Sequence, residues 1–86
     1  MARDLKQVTG TGDVVAGPVF LQSVVLSNTG AAGVLTVRDG TGAVRLTLRC
    51  PADGTGLWTA GDPNGVLFGT SVNVASITGV ASFEFS

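Results

Sequence analysis

One stretch of the sequence decides the fold: residues 33–50, which read GVLTVRDGTGAVRLTLRC. Apolar and polar side chains alternate through residues 33–39 and again through 44–50, and this two-residue period is typical of strands with one buried face. Between the two runs lies Gly-Thr-Gly-Ala, residues 40–43, a composition that favours a tight turn. The stretch therefore predicts a β-hairpin with a four-residue loop.

The register of this hairpin follows from its apolar pattern, because a slip of one residue would move every apolar side chain to the opposite face. The predicted cross-strand pairs are Leu35 with Leu48, Val37 with Leu46, and Asp39 with Val44. The buried face then continues to Cys50, which we expect to behave as a small buried hydrophobe.

The opposite face of the hairpin collects three of the five basic residues of the chain, Arg38, Arg45 and Arg49. In this register Arg38 lies roughly opposite Arg45, an unfavourable pair unless it is solvated or met by acids. Two interpretations stay open: a solvated face that prevents edge association, and a contact surface for another protein. This face is the strongest candidate contact surface that the sequence offers.

The rest of the chain repeats the same strand-and-turn spacing. Short runs rich in valine and threonine are broken by Gly, Asn, Asp and Pro about every ten residues. The sequence predicts an all-β fold, a small antiparallel β-sandwich or jelly-roll-like barrel of about seven to eight short strands. Residues 1–17 are predicted to form an extended N-terminal arm and an edge strand, and residues 18–86 the β-sandwich domain.

Residues 19–27 are predicted to form a long strand with two distinct faces. One face is expected to carry Phe20, Val24 and Leu26, and the other Leu21, Ser23, Val25 and Ser27. Asp39, Asp53 and Asp62 each lie in a glycine-containing turn, where an Asp side chain ordinarily bonds backbone amides rather than a metal.

Composition limits the function. The chain has 86 residues, 13 of them glycine, a formal net charge of −1, no His, one Cys and one Glu. These counts leave no nucleophile–base pair for an enzyme, no zinc site and no internal disulfide. A pI near 4.9 argues against nucleic acid as a partner. Neither a signal peptide nor a membrane-spanning run is apparent, so we expect assembly in a reducing cytoplasm.

Trp58 is the single tryptophan. It is expected to be a core or interface anchor, and the alternative is a platform that stacks on a sugar ring, next to the turn at residues 62–65. The Thr-Gly-Thr-Gly run at residues 9–12 is not followed by Lys-Ser/Thr and a helix, so a flexible arm is expected there rather than a phosphate loop.

A resemblance to a known group rests on VVLSNTGAAGVLTVRDGTGAVRLTLR (24–49), then PADG (51–54), NGVLFGTSVNV (64–74) and a final aromatic strand. From about Phe20 to Phe85 the chain resembles small structural proteins of tailed bacteriophages. Its markers are a strand ending in Leu-Ser-Asn, a strand closing on Arg-Asp-Gly, and a Gly-Val-x-Phe segment.

The resemblance implies a compact β-sandwich displayed on virions, as a capsid decoration or cement protein that stabilises the head. Its implied partners are the major capsid protein lattice and copies of the chain itself, with a trimer as one arrangement. The implied location is the capsid surface. The alternative is a tail or fibre component acting as a receptor- or glycan-binding module.

This interpretation predicts that the N-terminal arm orders on the shell or on a neighbouring subunit. The candidate interface residues are Arg3, Leu5, Lys6, Val8, Arg38, Arg45, Arg49 and Trp58. No cofactor, small-molecule substrate, nucleic acid or membrane is expected as a partner.

Overall fold

Strands account for most of the computed structural model, which describes residues 4–61 and 64–86. Within these residues the chain forms nine strands and no helix. The strands are β1 (Asp4–Val8), β2 (Gly12–Ala16), β3 (Val19–Asn28), β4 (Gly33–Asp39), β5 (Val44–Cys50), β6 (Gly54–Thr59), β7 (Val66–Phe68), β8 (Ser71–Thr78) and β9 (Val80–Phe85). The all-β prediction is confirmed, with β1 as a strand beyond the predicted number.

Two antiparallel sheets pack face to face. Sheet A has the order β1-β9-β3-β6, and β7 pairs with β3 on the same side as β6. Sheet B has the order β2-β8-β4-β5. Apolar side chains from both inner faces meet between the sheets, which is the arrangement of a β-sandwich.

The core is built almost wholly from aliphatic and aromatic side chains. Phe68 and Phe83 are the largest fully buried ones. Cys50 is buried as a free thiol, as its place in the apolar pattern predicts. The other core residues are Val14, Leu21, Val24, Leu26, Leu35, Val37, Leu46, Leu48, Val72, Val74, Ala81 and Phe85. Packing of these side chains is what holds the two sheets together.

The β4–β5 hairpin confirms most of the predicted register. Leu35 lies opposite Leu48, and Val37 lies opposite Leu46. The predicted pair of Asp39 with Val44 is wrong, because the register shifts after Val37 and Val44 pairs with Arg38 instead. This irregularity leaves Arg45 outside the paired register, so its side chain does not face Arg38 as predicted.

Strand β3 also contains a register shift, between Leu21 and Ser23 in its pairing with β9. Before the shift the buried side chain is Leu21; after it the buried ones are Val24 and Leu26. The predicted faces are therefore wrong for Phe20 and Leu21, each of which lies on the face opposite to the one predicted. Phe20 lies on the outer face, because one extra residue in a strand reverses the side-chain alternation.

Gln22 occupies the irregular position and is buried. Its Nε2 atom donates hydrogen bonds to the Asn64 carbonyl oxygen at 3.0 Å and to Ser86 Oγ at 2.9 Å. The amide side chain thereby links the segment before β7 to the residue after β9. It supplies partners for a polar group that would otherwise be costly to bury.

The N-terminal residues are incorporated into the sandwich. Residues 4–8, assigned from the sequence to an extended arm, form β1 and pair with β9 from Asp4–Phe85 to Val8–Ala81. Residues 12–16 form β2, the predicted edge strand, and pair with β8. The described part of the arm thus supplies one of the two edge strands of each sheet.

A single residue, Gly79, carries the chain from β8 in sheet B to β9 in sheet A. Its φ of 117° lies in a region that L side chains rarely adopt. A Cβ atom placed on it would lie 2.4 Å from the Ser27 carbonyl oxygen. The sharp crossover therefore requires glycine for two separate reasons.

Candidate interaction surface

The three arginines of the hairpin do not form one basic face. Arg38 Nε donates a hydrogen bond of 2.8 Å to Asn73 Oδ1 on β8. Arg45 turns to another part of the sandwich, where its guanidinium lies 5.3 Å from the centre of the Phe68 ring. Arg49 is exposed on β5. The register shift after Val37 separates the side chains that a regular hairpin would align.

Arg38 belongs to a polar chain that crosses three strands of sheet B. Asn73 Nδ2 donates to Asp13 Oδ1 at 2.7 Å, and Ser71 Oγ donates to the same oxygen at 2.9 Å. The hydrogen bond from Asn73, with that from Ser71 and the nearby positive charge of Arg38, lowers the pKa of Asp13. These contacts fasten edge strand β2 to the rest of the sheet, which is a structural role.

Asp39 holds a neighbouring turn in place. Its carboxylate accepts backbone N–H groups from Gly69 at 3.0 Å, Thr70 at 2.9 Å and Ser71 at 3.3 Å. The hydrogen bond from Thr70 is the main cause that lowers the pKa of Asp39. Arg45 Nη1 adds a weaker contact at 3.8 Å. The carboxylate thus bonds backbone amides, as expected of a turn Asp, but those amides lie some thirty residues away.

Within residues 4–61 and 64–86, no cluster of three or more metal-ligating side chains is present. Asp53 accepts a hydrogen bond from the Gly30 backbone at 2.9 Å and has a positive φ of 55°. Asp62 lies outside the described residues. The described Asp side chains whose partners are known act on neighbouring loops and strands.

The arm residues named from the sequence divide between the two sides of β1. The register places Lys6 on the same side of sheet A as buried Phe83, and Lys6 Nζ donates to the Val14 carbonyl oxygen at 3.0 Å. Val8 packs against the core. Leu5 points outward and is 74% exposed. Arg3 lies outside the described residues.

Trp58 is half-buried and packs against the hydrophobic core from β6, opposite Val24. This agrees with the expected role of a core anchor. A ring held against the core offers at most part of its surface to a ligand, so a sugar-stacking platform gains no support. Its neighbour Leu57 points the other way and is 63% exposed.

The outer face of sheet A is the strongest candidate interaction surface in the described residues. Five large apolar side chains are exposed on it: Leu5 (74%), Phe20 (42%), Val25 (37%), Leu57 (63%) and Leu67 (49%). They come from four strands of the sheet. Exposed apolar patches of this kind mark contact sites on soluble proteins.

The register places four of these five side chains in two directly opposed pairs. Phe20 lies directly opposite Leu67, and Val25 lies directly opposite Leu57. Directly opposed residues on one face of a sheet have Cβ atoms about 4.5–5.5 Å apart, so each pair forms a continuous apolar contact. These four side chains therefore form two apolar pairs on one face, and Leu5 lies farther out on β1, opposite Glu84.

Charge is sparse on this surface. Among the described strand residues that face outward from sheet A, the charged one is Glu84, which lies opposite Leu5 and accepts a hydrogen bond from Ser23 Oγ at 3.4 Å. Ser and Thr side chains fill most remaining positions. The outer face of sheet B instead carries Asp13, Arg38 and Arg49. The outer face of sheet A thus carries exposed apolar side chains and little charge, whereas the outer face of sheet B is charged.

Sequence reasoning named Leu5 and missed the other four residues of this surface. Phe20 is predicted on the same face as Val24 because the extra residue at Gln22 has no signature in the alternation of the strand. Val25, Leu57 and Leu67 alternate with inward-facing neighbours, so the alternation itself was the available signal. The alternation does not show that these three residues belong to strands that are neighbours in the sheet.

In the part of the chain that the structure describes, no helix has the length and apolar character needed to cross a membrane. No protein family, curated protein or solved structure matches this chain.

Proposed function

We propose that this protein is a non-enzymatic structural component of a bacteriophage virion, a capsid decoration or cement protein that binds the major capsid protein lattice. The observation that carries the proposal is the outer face of sheet A, with its five exposed apolar side chains and sparse charge. The assignment to a phage head comes from the resemblance of the segment from about Phe20 to Phe85 to small structural proteins of tailed bacteriophages.

The outer face suits attachment to a protein lattice. A sheet face with exposed apolar side chains among Ser and Thr can be covered by another protein surface of similar character. An 86-residue domain whose single Cys allows no internal disulfide also gains from further apolar burial in an assembly. In this proposal the capsid protein covers Phe20, Val25 and Leu67 when the subunit binds.

Location is tested by immunogold labelling of intact particles with an antibody against this chain. Gold spread over the heads supports the decoration role. Gold confined to the tails contradicts it and favours the receptor- or glycan-binding alternative. Absence of gold from the particles contradicts both.

The attachment surface is tested by binding purified protein to heads that lack it, followed by co-sedimentation. Leu67→Lys places a charge directly opposite Phe20 on this apolar face, and we expect it to weaken attachment about tenfold or more, since burying an unpaired charge is costly. The matched control is Val44→Lys, because Val44 is 56% exposed on the other side of the sandwich. Equal binding by both variants, or loss with Val44→Lys alone, would contradict the proposed surface.

A further inference from the structure

The edges of the two sheets are protected unequally. An edge strand presents unpaired backbone N–H and C=O groups, and soluble proteins protect them with charges, bulges or short strands. Strands β1 and β6 are edges of sheet A, with three-residue β7 beside β6, and strands β2 and β5 are edges of sheet B.

Three of these edges carry a recognised form of protection. In β1, Lys6 points toward the inner side of the sheet and bonds the Val14 carbonyl oxygen. In β2 the register shifts after Asp13. Strand β5 carries two exposed cations, Arg45 and Arg49, and has its own register shift. Inward or exposed charges and bulges all disfavour the addition of another strand.

Strand β6 has none of these features. It reads GTGLWT, without a charge or a proline, and pairs regularly with β3 from Asn28–Gly54 to Ser23–Thr59. In the described residues β3 is its one paired neighbour. Its outward side chains Thr55, Leu57 and Thr59 are exposed. This edge is therefore open to pairing.

The sequence of β6 is complementary to itself. A twofold axis at Leu57 in antiparallel pairing places Leu57 opposite the partner's Leu57 and Thr55 opposite the partner's Thr59. It also places Gly56, whose inner side adjoins the Arg49 carbonyl oxygen, opposite the partner's Trp58, whose ring packs on its own core. Every residue stays on its own face, as the strand period requires.

The same operation fails on the protected edges. A twofold axis at Lys6 of β1 brings that residue against the partner's Lys6. A twofold axis at Thr47 of β5 brings Arg45 against the partner's Arg49. Like charges directly opposite each other destabilise a strand pair, whereas β6 carries no charge.

We infer that the open edge of β6 binds β6 of a second copy of this chain, in antiparallel register with Leu57 on the twofold axis. The contact joins the two A sheets and places the two apolar outer faces side by side. It goes beyond the proposed virion role and does not depend on it. A contact of one strand pair is small, so the dimer is weak and forms at high protein concentration.

The first test is sedimentation equilibrium of the whole chain between about 10 µM and about 1 mM, the range in which weak dimers dissociate. We expect the wild type to show a monomer–dimer equilibrium. Leu57→Lys and Leu57→Glu, each measured alone, are expected to weaken dimerisation about tenfold or more, because a like charge then lies on the axis. An equimolar mixture of the two variants is expected to recover dimers, since Lys then faces Glu.

Val44→Lys is the matched control, because Val44 is an exposed apolar residue on edge strand β5. It is expected to dimerise like the wild type. A monomeric wild type, a higher oligomer, dimers of unchanged strength in Leu57→Lys, or no recovery in the mixture would each overturn the inference.

A covalent test fixes the register without relying on charge. Opposed residues in an antiparallel pair have Cα atoms about 4.5–5.5 Å apart, within the range of a disulfide. Leu57→Cys is expected to give a covalent dimer under mild oxidation, and Val44→Cys is not. Native Cys50 is buried and contributes little background. Equal cross-linking of both variants would overturn the inference.

Discussion

Two leucines on opposite sides of sheet A test whether its outer face contributes to folding. Leu26 on β3 is fully buried between the sheets, and Leu5 on β1 is 74% exposed on the outer face. We change each to alanine, so that the same atoms are removed from two environments. Because Leu26 packs in the core and Leu5 does not, we expect a large loss of stability at Leu26 and almost none at Leu5.

The magnitudes follow from burial. Removing a fully buried leucine side chain costs about 2–5 kcal/mol, through lost burial and the cavity left behind. A domain of 86 residues has about 4–13 kcal/mol in total. A loss of about 3 kcal/mol at Leu26 corresponds to about 12–24 °C in Tm. At Leu5 we expect a change of about 0.5 kcal/mol or less.

The assay is urea unfolding at low micromolar concentration, where the proposed dimer is dissociated. Trp58 fluorescence and far-ultraviolet circular dichroism are recorded together, because coincident transitions support two-state analysis. A cost above about 1 kcal/mol at Leu5, or a cost at Leu26 below that value, would refute the assignment of inner and outer faces.

Three further predictions concern single residues. Gly79→Ala is expected to destabilise the fold by about 1–3 kcal/mol or more, through backbone strain and contact with the Ser27 carbonyl oxygen, and so to lower the Tm. Gly10→Ala is the control, because a Cβ atom there meets open space, and it is expected to change the Tm little. Equal Tm values for the two variants would contradict this. Because the pKa of Asp39 is lowered in the folded protein, its carboxylate stabilises the fold above the unfolded pKa of about 3.9 and loses this effect as the pH falls through the folded pKa. The difference in unfolding free energy between the wild type and Asp39→Asn is therefore expected to be full at pH 6 and to shrink below about pH 4. A difference that does not change with pH would argue against this role of Asp39. Half-buried Trp58 is expected to be quenched by acrylamide more slowly in the folded protein than in urea, and equal quenching would show that the ring does not pack on the core.

The sequence predicts the parts of the fold that depend on local alternation. In β4 and β5 buried apolar residues alternate with outward-facing ones, at Leu35 and Val37 and at Leu46 and Leu48. The pairing of these residues across the hairpin is as predicted. Turn residues bound the strands, so the strand positions after residue 18 are close to those observed. Local pattern is sufficient here because consecutive strands in a hairpin are also neighbours in space.

Irregular positions are where prediction fails. The extra residue at Gln22 moves Phe20 to the outer face, and the shift after Val37 takes Arg45 away from Arg38. Neither shift has a local signature such as proline or paired glycines in the sequence. Each is stabilised by distant groups, the buried amide of Gln22 by Ser86 and the guanidinium of Arg45 by Phe68.

The candidate surface depends on long-range pairing, and it was predicted only in part. Leu57 and Val25 are 32 positions apart in the sequence and directly opposed in the sheet. Knowing that each faces outward does not show that they adjoin. The order of the strands in the sheet decides which exposed residues are neighbours, and the apolar pattern of one sequence does not specify that order.

The pairing of β1 with β9 sets an order of events for a newly made chain. Asp4 pairs with Phe85 and Val8 pairs with Ala81, so β1 cannot pair until β9 has been made. Loop closure over such distances in sequence is slow compared with formation of a hairpin such as β4–β5. Until β9 has been synthesised, β1 lacks its neighbour and sheet A lacks its centre. Nascent or truncated chains would therefore expose both apolar faces of this sheet, and aggregation during synthesis is the hazard that this topology creates.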